Sequence, residues 1–183
     1  MTSASAFAYS YAEATDPTAD IFKEAVVAAK GGNWGKVSGL AKKGVALQKG
    51  HLFEADFLAK PLSEAIDKKD VAKTAELFAN LAYLSIREKL HQNKKENFKN
   101  YKNAKARLQL ARKSYMDVLD GNVRKQKAAS SLAIMSQFNV ALENIGNPGL
   151  FGVGKKAPDP SGYNQAVKQI EALIVDSFPS FAK

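Results

Sequence analysis

A chain of 183 residues, 45% hydrophobic and 25% charged, has ordinary globular composition and is long enough to bury one core. The formal charge of +9 points to an acidic or anionic partner. Only Arg87, Arg107, Arg112 and Arg124 among the 27 basic residues carry the bidentate fork that reads bases, which argues against specific nucleic-acid recognition. With no cysteine, disulfides, thiolate metal sites and cysteine nucleophiles are excluded together.

At the N-terminus, Ala6-Phe7-Ala8 fits the small-x-small pattern that signal peptidases cleave, but no basic n-region or long apolar h-region precedes it. The expectation is a flexible segment over 1–15 and an exported protein, placed in a periplasm or thylakoid lumen. No apolar run approaches the ~18 residues of a membrane span. Asp16-Pro17 reads as an N-cap followed by proline in the first turn, opening a helix that carries Ile21, Phe22, Ala25, Val26 and Ala29 and stops at Gly31-Gly32. Asn33 caps a second helix with Trp34, Val37, Leu40, Val45 and Leu47. Gly35, Gly39 and Gly44 within it imply irregularity or close packing. Leu52, Phe53, Phe57 and Leu58 continue the stripe, and Pro61 interrupts before a short turn of Leu62, Ala65 and Ile66.

Two long amphipathic helices follow over 70–120. The first bears Val71, Ala75, Phe78, Ala82 and Ile86, with Leu77, Leu81 and Leu84 widening the stripe as in a helix contacted on two sides. In the second, Phe98, Tyr101, Ala104, Leu108, Ala111, Tyr115 and Val118 recur at steps of three and four. Gly121-Asn122 is read as a turn before a helix over 123–145 with Leu132, Met135, Phe138, Leu142 and Ile145 on one face. Gly146-Asn147-Pro148-Gly149 then opens a loop to Gly162, and Ser161 is the expected cap of a last helix with Tyr163, Val167, Ile170, Ile174 and Phe178. No stretch alternates with period two. The fold class is therefore all-α: a mainly antiparallel, up-and-down bundle of five or six helices in one domain over 16–183, with a Gly/Pro-rich loop at 146–162.

Three constellations carry candidate chemistry. Gly149-Leu-Phe-Gly-Val-Gly154-Lys155 has the spacing of a phosphate-binding loop, yet Lys156 stands where a magnesium-holding hydroxyl belongs and a helix precedes it rather than a strand. The loop is read instead as a connection folded onto the bundle end, as an apolar-plus-lysine docking tip, or as a site for an anionic small molecule. Glu88 and His91 have the Glu-x-x-His spacing of dimetal bundles, and His51 and Glu54 have its reverse. These four residues are the candidate metal ligands of a second reading, a metal-binding bundle; no other cofactor is expected. Neither a nucleophile elbow nor a singled-out carboxylate pair is present, so no catalytic residue is assigned and the protein is not read as an enzyme. Lys94, Lys95, Lys99, Lys102 and Lys105 form a polar face, and with Lys155 and Lys156 they are the candidate partner-binding residues.

Trp34 early in a bundle helix, the leucine- and lysine-bearing continuation from Leu40 to Leu58, Leu77-Phe78, and the tyrosine-bearing helix from Tyr101 to Leu119 together resemble the PsbQ-type extrinsic subunits of photosystem II. Those are basic, lumenal four-helix bundles without a catalytic site. The resemblance implies a non-catalytic, extrinsic-subunit-like protein that docks on or stabilises an acidic protein complex or an anionic membrane surface. Beyond Gly121 it has no counterpart.

Overall fold

The computed structural model describes residues 15–149, 151 and 153–181. Ala6-Phe7-Ala8, Leu150 and all but Thr15 of the flexible segment expected over 1–15 lie outside the described residues. The described chain is helical: α1 (Pro17–Lys30), α2 (Trp34–Leu47), α3 (Asp56–Asp67), α4 (Val71–Lys95), α5 (Tyr101–Val118), α6 (Asp120–Gln126), α7 (Ala128–Asn144) and α8 (Pro160–Ser177). A 3₁₀ turn at Pro179–Phe181 follows, and no strand occurs among the described residues.

Eight helices replace the five or six expected, and two breaks account for the difference. Gly50, at φ +77°, ends the α2 region, and the chain re-enters a helix only at Asp56. Pro61 then lies inside α3 instead of stopping it. The second break is at Lys127, whose extended φ of −148° separates α6 from α7. Gly121 and Asn122, read as a turn, are helical within α6. Caps hold as local chemistry requires: Asp16, Asn33, Asp70, Asn100 and Asp159 each accept a backbone N–H of the first turn. Asp159, rather than Ser161, caps α8, and Pro160 occupies its first position.

The 25-residue α4 organises the rest. Leu77, Phe78, Leu81 and Leu84 belong to a core shared with α1, α2 and α3. Ala79, Ala82, Tyr83, Ile86 and Leu90 face a second core built with α5, α7 and α8. A helix covered on two sides needs the wide stripe that its leucines supply. Truncating Leu81, fully buried between these layers, would cost about 2–5 kcal/mol. Gly44 shows why glycine interrupts α2: a Cβ there would sit 3.0 Å from Leu81 Cδ1, so the small residue lets α2 approach α4. Gly35 and Gly39 have open space in place of a neighbour. Asn93 of α4 donates to the Ala104 carbonyl of α5, and Ser85 and Ser114 of the same two helices both donate to Asp16. The α7 stripe is narrower than its spacing implied: Phe138 and Ile145 are buried, whereas Leu132 is 74% exposed.

Candidate functional site

The end of the molecule where α4 stops, α5 starts and α8 starts is fixed by aromatic and amide contacts. Tyr163, three residues into α8, donates its hydroxyl to the Leu90 carbonyl at 3.0 Å and meets the edge of Phe98 at a centroid distance of 4.9 Å. Asn93 donates to the Ala104 carbonyl at 2.8 Å. Between them the chain turns through Asn97 and Phe98, both in the left-handed region (φ 49° and 56°), a conformation that burial of the Phe98 ring secures. The loop before α8 closes on the same end. Asn147 and Lys156 exchange both backbone hydrogen bonds at 2.8 Å, and the Asp159 N–H reaches the Asn144 carbonyl at 2.9 Å. A Cβ on Gly146 would lie 2.8 Å from the Lys156 carbonyl oxygen, so glycine there, at φ +84°, is required.

The seven candidate lysines lie on the segments that meet at this end. Lys94 and Lys95 end α4, Lys99 sits in the turn, Lys102 and Lys105 lie on the first turns of α5, and Lys155 and Lys156 follow the loop tip. All are exposed except Lys105, which is half-buried with Nζ 5.9 Å above the Tyr101 ring. None makes an ion pair within 4 Å among the described residues. Glu96, the carboxylate among them, is already taken: Arg107 holds it through two bonds of 2.6 and 2.7 Å, and with Gln92 keeps its carboxyl below the usual glutamate range. Lys168 of α8 joins Lys94 around a small recess beside Tyr163, and sequence reading missed it because α8 was judged by its apolar face alone. Phe151 is 99% exposed, with φ at 51°, and Val153 is 78% exposed. These two side chains do not fold onto the bundle end; they stand out from it.

The phosphate-loop reading fails on geometry. The Gly149 N–H donates to Asn147 Oδ1 at 3.0 Å, and the start of α8 is capped by Asp159, whose carboxylate accepts the Gly162 N–H at 3.0 Å. The helix end that would face a phosphate already holds an anion.

The four candidate metal ligands are also divided. His51 Nδ1 lies 3.6 Å from Glu88, whose other oxygen accepts the Leu52 N–H at 2.8 Å. Glu54 is spent on the Gly50 N–H at 3.1 Å. His91 is drawn instead toward α8: its Nε2 meets Glu171 at 2.9 Å, where Arg87 also donates at 3.0 Å while stacking 3.9 Å above Phe53. Burial raises the Glu171 pKa, but His91 and Arg87 outweigh it and leave the carboxyl below its ordinary value. Among the described residues no group of three or more His, Asp or Glu side chains is placed to hold a metal ion. A spacing of three residues put Glu88 and His91 on one helix, but α4 is contacted on both sides and sends them to different neighbours.

One constellation went unread. Asp16 is more than an N-cap: its buried carboxylate accepts from the Thr18 N–H and hydroxyl at 3.0 and 2.9 Å, from Ser114 at 2.9 Å, from Ser85 at 3.0 Å and from Lys89 at 2.8 Å. Burial pushes its pKa up, yet Lys89 and these donors leave it lowered. Ser85 and Ser114, polar at interior positions of α4 and α5, were the available signal.

No protein-family model matches the chain, and neither a curated protein nor a solved structure does. No described helix is long and apolar enough to cross a membrane.

Proposed function

We propose that the protein is a non-catalytic, exported docking protein that seats this lysine-rich end on an anionic membrane surface. The observation that carries the reading is Phe151, 99% exposed, standing with the exposed Val153 immediately before Lys155 and Lys156. An aromatic ring fully in water contributes nothing to the fold, whereas beside lysines it suits the headgroup boundary, where apolar insertion and charge attraction add. The dominance of lysine over arginine fits the same partner. Protein hot spots favour arginine, tyrosine and tryptophan, while an anionic leaflet attracts any basic point charge by about 1 kcal/mol each. The likeness to PsbQ-type extrinsic subunits belongs to this reading, as does an up-and-down arrangement of the long helices.

Co-sedimentation with vesicles tests it. Binding to vesicles one-third phosphatidylserine, absent from pure phosphatidylcholine and lost at about 1 M salt, where charges are screened beyond about 3 Å, is the expected result. Salt-insensitive binding would reject the lysine charges as the attraction, and no binding at low salt would reject the membrane as partner and turn attention to an acidic protein.

A further inference from the structure

We infer that the cleft between the start of α1, the α2–α3 connection and α4 binds a short zwitterionic peptide of about three residues, its ammonium at Glu88 and Gln48 and its carboxylate at Lys95. The inference does not rest on membrane docking. The cleft has a volume of about 690 Å³, within the range of sites that enclose small ligands. One face of α4 forms its floor, with Glu88, Gln92 and Lys95 at steps of four and three.

Most charges lining the cleft cancel in pairs. Lys89 is paired with Asp16, and Arg107 with Glu96. Two remain. Glu88 has its oxygens only partly filled: the Leu52 N–H is bonded, and His51 Nδ1 at 3.6 Å is beyond hydrogen-bond distance. Lys95, exposed, has no ion pair among the described residues. The acceptor end is reinforced by Gln48, which lines the cleft, is 4% exposed, and has an Oε1 that accepts no hydrogen bond. In this orientation the oxygen is closed off from solvent and its acceptor capacity is unspent. Rotation of its terminal amide, a broad torsion, presents that oxygen to an arriving group.

Distance sets the ligand's length. From Glu88 to Lys95 is seven residues, about 10 Å along the helix axis. An extended peptide covers about 3.3 Å per residue, so three residues place an ammonium and a carboxylate at the two ends. A single amino acid is too short, a polyamine offers nothing to Lys95, and a dicarboxylate would be repelled by Glu88. Leu47 and Leu52, both partly open to solvent on the cleft wall, give small apolar side chains a surface.

The test is calorimetric titration of the full chain with trialanine, N-acetyl-trialanine and trialanine amide. Trialanine is expected to bind, and blocking either end to weaken binding at least tenfold. Glu88→Gln should weaken trialanine at least tenfold yet leave the N-acetyl form unchanged, and Lys95→Met, at an exposed position that spares the fold, should do the same for the amide. No heat with trialanine, or equal binding of the blocked and free peptides, would overturn the proposal. Vesicle binding is read separately, so either inference can fail alone.

Discussion

Asp16 and the lysine-rich end handle charge in opposite ways. The Asp16 carboxylate is buried and surrounded by a full set of donors, with its cation supplied from another helix by Lys89. At the lysine-rich end Glu96 is given to Arg107 and Asp159 to the start of α8, and the seven lysines make no ion pair among the described residues. A paired interior charge ties α1, α4 and α5 together, and its removal is a stability event. Unpaired surface charge stabilises nothing and repels itself, and under the docking proposal what arrives at that end offsets the repulsion.

The largest effect should come from breaking the interior pair. Asp16→Ala takes the carboxylate away from Lys89 and from two buried serines and removes an N-cap, so urea unfolding should show a loss of about 3–5 kcal/mol. Vesicle binding by the folded fraction should be unaffected. Acid is the second lever. Asp16 and Glu171 both have folded pKa values below their ordinary 3.8 and 4.5. The unfolded chain therefore takes up protons first, and their contribution, complete above about pH 5, is lost as pH falls through and below those values. Thermal melts from pH 6 to pH 3 should fall steeply only below about pH 4.5 in the wild type, and less steeply in Asp16→Ala.

At the lysine-rich end the signs reverse. Replacing Lys155 and Lys156 by alanine should leave the melting temperature alone but weaken anionic-vesicle binding by about 2 kcal/mol, roughly 30-fold. Phe151→Ser should weaken it by about 1 kcal/mol, and because Phe151 has positive φ and no burial, the fold should not suffer. The smallest effect belongs to Leu132→Glu on the exposed side of α7, expected within about 0.5 kcal/mol in urea unfolding and without effect on vesicles. Strong destabilisation there would mean that α7 is covered by something absent from this arrangement.

These contrasts also show what a sequence can and cannot express. The start of α1 at Asp16-Pro17, its stop at Gly31-Gly32 and the two-sided face of α4 were legible because caps and stripes are local. The break at Lys127 was not, since no glycine or proline marks it; its ammonium reaches Asp176 of α8 at 2.6 Å, a contact fixed by tertiary structure. Leu132 was misplaced because six residues of the same helix turn it about 120° away from the buried Phe138, to the open edge of the stripe. The lysines of the candidate site could be named from the sequence. Which segments meet could not, because the packing of Tyr163 on Phe98 is what brings the start of α8 to the α4–α5 end. The contact of His91 with Glu171 was hidden for the same reason: the two lie 80 residues apart in the chain.

The most direct measurement compares two double variants of equal net charge on anionic vesicles: Lys155→Ala/Lys156→Ala at the lysine-rich end, and Lys42→Ala/Lys43→Ala on the exposed side of α2. If position decides docking, the first loses roughly 30-fold in affinity and the second stays within about twofold of wild type. Equal losses would show that only the overall charge of +9 attracts the membrane, and would contradict the account.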